Sequence, residues 1–169
     1  MSLSRDRLAQ AKLLATKEKS RPKQASLPRS VSAAYYAVFH LLVDAALRRL
    51  VSGADRQPLR NCLARAFDHS VMKRVARQFA ERSLSPRHSP GLNHLSLAED
   101  IVRVAATFVD LQQHRHDADY NMGRQVTRIE VLNIVSAAER AFVDRGAVRH
   151  SSQADTFIVG LLTFEKIRL

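Results

Sequence analysis

The sequence predicts an all-α protein. Its 169 residues contain only five glycines and five prolines, and over long segments apolar residues recur at intervals of three and four rather than two. Ser96 with Glu99, and Thr127 with Glu130, have the spacing of a capping box, which marks helix starts. One helical domain is expected over 1–169, with the core over about 3–145 and a terminal helix over about 154–166.

A weakly amphipathic first helix is expected over about 3–18, followed by the basic connector KSRPKQASLP. Ser26 is placed to cap a second helix, with Pro28 in its first turn, where a missing N–H is no loss. That helix is expected to reach about Val51, before SGADRQP turns the chain. Shorter helices follow over about 59–66 and 71–80, with Asp68 or Ser70 available as the cap between them. Residues 83–95, SLSPRHSPGLNHL, read as a surface loop. The Ser96 signal opens a helix to about Arg115 or slightly beyond, and the Thr127 signal another to about Arg145, which Gly146 is placed to end. The tail ADTFIVGLLTFEKIRL suits a helix or a strand. A helix is favoured because no partner strand is evident.

Composition narrows the function classes. With 46% hydrophobic and 25% charged residues, the chain can bury a core without metal or disulfide staples. Twenty-seven basic residues against 16 acidic ones give +11, so polyanions or acidic protein faces are the expected macromolecular partners. Lysine stands only at 12, 17, 19, 23, 73 and 166, and the other 21 basic residues are arginine. That bias suits bidentate phosphate pairing, although a GC-rich genome produces the same excess. Cys62 is alone, which leaves no disulfide framework or zinc knuckle and fits a reducing cytosol. The opening MSLSRDRLAQ has no apolar core of signal-peptide length, and the apolar stretch 33–47 is broken by His40 and Asp44, so a cytoplasmic protein without a membrane span is expected.

Two departures from the apolar pattern are candidates for function. On the otherwise apolar second helix, Ser32, Tyr36, His40 and Asp44 are spaced four apart and align into one polar stripe. Such side chains either satisfy one another, with Asp44 accepting from His40 one turn away, or form a functional face. On the helix opened by Ser96, the seam Leu97, Ile101, Val104, Phe108, Leu111 runs into Arg115 as its next position. Asp119 is placed to pair with Arg115, and Tyr120 bears the same relation to His116. Arg115 is then either a snorkelling, capped arginine or one side of a polar pocket with Tyr36, His40 and Asp44.

At these residues the chain resembles the HEPN superfamily, small α-helical domains of prokaryotic toxin–antitoxin and related nucleic-acid-processing systems. RSVSAAYYAVFHLL (29–42) and RHDADY (115–120) are similar to the hallmarks of a branch carrying S-x-AYYA-x-F-H on one long helix and R-x-x-ADY on a later one. FDHSVMKRVARQF (67–79) is similar to the H-x-x-V-x-x-x-F stretch found between them, and the likeness covers about residues 5–145. The resemblance implies an up-and-down four- to five-helix bundle that forms a homodimer with the motif arginines facing across the interface. It further implies a metal-independent endoribonuclease in which an arginine stabilises phosphate charge and a downstream histidine moves protons.

On that basis Arg115, His116, Asp119, Tyr120 and His40 are candidate catalytic residues, and Ser32, Tyr35, Tyr36, Asp44 and His114 candidate binding residues. No metal or cofactor is implied, and the implied partners are RNA or a nucleotide and a nucleotidyltransferase-like antitoxin. Where the family's histidine is due, the chain holds Tyr120, Asn121 and Met122. Arginine does precede histidine at the family's spacing at Arg82 with His88, Arg87 with His94 and Arg145 with His150, but in the loop or past a helix end, about as often as chance allows. The base would then have to be His40, His114 or His116.

Two rival readings remain. A non-catalytic bundle would bind RNA or a protein partner through its basic surface. Residues 1–30 carry eight basic and two acidic side chains, which make either a phosphate-tracking surface or a solvated face. A metal phosphohydrolase of the HD type would use the adjacent His116 and Asp117 with His40, His69 and Asp144.

Overall fold

The computed structural model describes residues 2–20, 25–85, 96–121, 123 and 125–164. Among these lie seven α-helices and one 3₁₀ turn, with no strand: α1 (Leu3–Thr16), α2 (Ser26–Leu50), the 3₁₀ turn Ala54–Arg56, α3 (Gln57–Ala64), α4 (His69–Ala80), α5 (Glu99–Tyr120), α6 (Arg128–Ala147) and α7 (Ser152–Thr163). Every helical stretch expected from the periodicity is present, and the tail takes the helical alternative.

The starts of α4 and α6 follow local chemistry. Asp68 caps α4, its side chain accepting from Ser70 N at 2.8 Å and Val71 N at 3.0 Å. Thr127 and Glu130 close a reciprocal box at α6, Glu130 N donating to Thr127 Oγ1 and Thr127 N to Glu130 Oε2, both at 3.2 Å. Other ends depart from the expected pattern. Ser26 begins α2, but its hydroxyl donates to Glu18 Oε1 at 2.8 Å. Ser96 with Glu99 forms no box: Glu99 pairs with Arg82, and the N–H of Ala98, immediately before α5, donates to Gln153 Oε1 at 2.8 Å. Gly146 lies within α6, which runs one residue further, and the turn expected at SGADRQP is shortened because Gln57 and Pro58 already belong to α3. Residues 86–95 of the expected loop fall outside the described residues.

The chain divides into two compact units, each built from two separate stretches, and the dividing points fall inside α2, α5 and α6. The first comprises Met1–Leu41 and Thr107–Val143 and so takes segments from α1, α2, α5 and α6. Its core holds Leu27, Val31, Tyr35, Phe108, Leu111 and Val131, all fully or almost fully buried. Burying such side chains contributes about 1.5–3 kcal/mol each. Polar ties fix the helices around it. Ser30, itself buried, donates to the Ala11 carbonyl at 2.7 Å, Lys12 pairs with Glu139, and Arg128 donates to the carbonyls of Glu18 and Lys19.

The second unit comprises Leu42–Ala106 and Asp144–Leu169. Here α4 packs on α7, with the rings of Phe79 and Phe157 4.9 Å apart between their centroids. Arg60, only 5% exposed, closes the turn after α2 by donating to the carbonyls of Val51 at 2.9 Å and Gly53 at 2.7 Å. Gly53 has φ +100°, a conformation that glycine adopts without the Cβ clash other residues meet.

By length and composition α2 is apolar enough to cross a membrane, alone among the described helices. Two thirds of its most apolar window (67%) is buried inside the protein, the pattern of a core helix.

Candidate functional site

Four-residue spacing on α2 does what helical geometry requires. Ser32, Tyr36, His40 and Asp44 are all half-buried, whereas nearly all of their apolar neighbours from Leu27 to Leu47 are buried. The α5 seam behaves likewise: Leu97, Ile101, Val104, Phe108 and Leu111 are at most 7% exposed, and at the next position Arg115 keeps 24% of its side chain in solvent.

In the first unit these two departures meet. The Arg115 guanidinium carbon lies 5.5 Å from the centroid of the Tyr36 ring and 5.6 Å from that of Tyr35, within the reach of a cation–π contact. Its Nε donates to Asp119 Oδ2 at 3.0 Å, one turn further along α5. Asp119 Oδ1 in turn accepts from the Ser32 hydroxyl at 2.9 Å, which ties the end of α5 to the start of the α2 stripe. Tyr35 is fully buried, with its ring centroid 5.7 Å from that of Phe108. The tyrosine platform therefore has an apolar foundation.

Arg115 is a permanent cation. Burial works against its charge, but Tyr36, the Asp119 hydrogen bond and charge, and Tyr35 together outweigh it and raise the pKa above the ordinary arginine value. Among the described residues its two Nη groups meet no acceptor. One guanidinium edge is thus spent on Asp119, while the fork suited to a phosphate remains available.

His40 stacks on Tyr36, with ring centroids 6.2 Å apart and planes at 28°. The row thus reads Arg115, Tyr36, His40. Asp44 has its own partner, accepting from Arg48 Nε at 2.8 Å one turn onward on α2. His116 and Tyr120 pair with each other, ring centroids 5.0 Å apart, and Tyr120 is 68% exposed. His114 lines a cavity of about 180 Å³ formed by α5 and α6 with Asp110 and Asn133. The structure thus brings together Ser32, Tyr35, Tyr36, His40, Arg115 and Asp119, and gives Asp44, His114, His116 and Tyr120 other surroundings.

For the HD-type reading, no group of three or more His, Cys, Asp or Glu side chains converges among the described residues. A further cavity, of about 280 Å³, shares Ser32 and Tyr36 with the cluster and adds Arg7, Gln10 and Arg29. Those three were not singled out from the sequence. Their signal was the basic run 1–30 together with spacing of three and seven along α1 and α2 (Arg7, Gln10, Leu14 and Arg29, Ser32, Tyr36), which puts each set on one helix face.

Comparison with family models, curated proteins and solved structures gives no match.

Proposed function

We propose that this chain is a cytoplasmic, HEPN-like protein of up-and-down bundle topology that binds RNA or a nucleotide at Arg115, as a homodimer in which two such arginines share a cleft. One observation carries the reading: a guanidinium clamped through Nε and against two tyrosine rings keeps its Nη fork without an acceptor among the described residues. A phosphate supplies the two oxygens that this fork suits. The surplus of basic residues, +11 in all, adds the long-range attraction such a ligand needs.

Endoribonuclease activity in a toxin–antitoxin setting is the second reading, favoured by the stacking of His40 on Tyr36. Arg115 would hold the phosphate's developing charge while an RNA 2′-hydroxyl attacks phosphorus and the P–O5′ bond breaks, leaving a cyclic phosphate and a 5′-hydroxyl. His40 would move the proton in place of the histidine missing at positions 120–122. The non-catalytic form of the proposal keeps the same arginine and uses it to hold RNA or a nucleotidyltransferase-like partner.

The test is an RNA cleavage assay in EDTA with wild type beside Arg115→Ala. Cyclic-phosphate products lost in the variant, with its helicity intact, establish the nuclease. Cleavage surviving the substitution removes Arg115 from the chemistry. RNA binding without cleavage, weakened in Arg115→Ala, leaves the binding function alone, and absence of both overturns the proposal.

A further inference from the structure

Beside the Arg115 cluster, α1 and α2 line the open cavity of about 280 Å³, close to the lower end of the range for small-molecule sites, roughly 300–1,000 Å³. Its wall carries two guanidinium groups, Arg7 and Arg29, and, among the described residues, no carboxylate. Arg29 is exposed and has no acidic partner among the described residues. Arg7 donates through Nη1 to Gln10 Oε1 at 2.9 Å, while its Nε is shielded from solvent and has no acceptor. The carboxylate nearest this wall in the hydrogen-bond network, Asp119, reaches it through Ser32 and is already paired with Arg115. Leu14, Ala33 and Tyr36 complete the lining and give it apolar surface against which a sugar or base can lie.

We propose that this cavity is a nucleoside-monophosphate site: Arg7 and Arg29 grip the phosphate, Gln10 and Ser32 offer further hydrogen bonds, and the body of the nucleotide rests against Leu14 and Tyr36. The phosphate belongs either to a free nucleotide or to the 5′ end of an RNA strand. The inference rests on the function proposed above only in taking nucleotides as the source of the phosphate.

Calorimetric titration of the full chain with AMP, adenosine, and a trinucleotide RNA bearing either a 5′-phosphate or a 5′-hydroxyl tests it. AMP should bind at least about tenfold tighter than adenosine, and Arg29→Gln should weaken AMP by about fivefold or more, the scale of a lost charge-assisted pair. Adding Arg7→Gln should deepen that loss. Because Arg29 is exposed, its substitution leaves the fold unaffected and decides the matter alone should Arg7→Gln fail to fold. Binding of the 5′-phosphorylated trinucleotide but not its 5′-hydroxyl counterpart identifies a strand end as the natural source. Binding of AMP without either trinucleotide identifies the free nucleotide.

Equal affinity for AMP and adenosine overturns the proposal, as does unchanged AMP binding in Arg29→Gln or no binding of AMP or the 5′-phosphorylated strand up to about 5 mM. The two readings fail separately. AMP binding lost in Arg29→Gln but unchanged in Arg115→Ala, by a protein with no affinity for longer RNA, upholds the cavity and overturns the Arg115 reading; RNA binding that needs Arg115, without AMP binding, does the reverse.

Discussion

Replacing Arg115 by Met and Tyr36 by Leu, singly and together, measures whether the guanidinium and the ring hold each other. With the Arg115 carbon 5.5 Å from the Tyr36 centroid and the side chain 24% exposed, the contact lies between the exposed and desolvated limits for cation–π pairs, about 1 kcal/mol. The Asp119 partner is a third exposed, so solvent screening keeps that ion pair to about 0.5–1 kcal/mol. Arg115→Met should therefore cost about 2 kcal/mol, a fall in Tm of about 4–8 °C for a chain of this size. Denaturant unfolding of the four proteins should give a coupling of about 1 kcal/mol, because the Asp119 contribution cancels in the cycle. Strictly additive effects, with coupling below about 0.3 kcal/mol, would refute the claim that Tyr36 holds the arginine.

Asp119→Asn keeps an acceptor for the Ser32 hydroxyl but removes the charge opposite Arg115; it should lower stability by less than about 1 kcal/mol and tighten RNA binding in a filter assay, and weaker binding would count against Arg115 as the phosphate contact. Phe108→Ala removes the fully buried ring under Tyr35 and should cost about 3–5 kcal/mol in urea unfolding, a loss under about 1 kcal/mol showing that the platform has other support. At the α4 cap, hydrogen bonds from the Ser70 side chain and Val71 N hold the Asp68 pKa below the ordinary aspartate value. A depressed folded pKa means stability that is present above the unfolded value and lost as pH falls through the folded one. Asp68→Ala should thus cost about 1 kcal/mol at pH 7, and its gap from wild type should close as pH drops below about 4; a gap that persists at pH 2 would contradict this.

What could be read from the chain in advance was what is local. The α5 seam leading to Arg115, the polar stripe on α2, the Asp68 cap and the box at Thr127 all follow from spacing within a turn or two, where the helix itself dictates who meets whom. That the stripe and the seam face one another follows from no rule within a helix, and the Ser32 to Asp119 bond spans 87 residues. The failures share one cause. By spacing Ser26 and Glu99 suit the starts of their own helices, but Glu18 and Arg82, brought near by the fold, offer them charge-assisted bonds. Gln153 supplies the bond before α5 from 55 residues away, which no local pattern announces. For Asp44, His40 and Arg48 stand equally far along the helix, and it is Arg48 that donates, as suits a guanidinium that carries its charge at every relevant pH. Arg7 and Arg29 were visible only as part of a basic run, since a shared cavity wall is a tertiary fact.

The salt dependence of affinity for a single-stranded RNA, measured for wild type and Arg115→Ala side by side, bears most directly on the role given to Arg115. Removal of one phosphate contact should weaken binding by about tenfold and flatten the slope of log Kobs against log salt by about 0.7. Superimposable lines for the two proteins would contradict it.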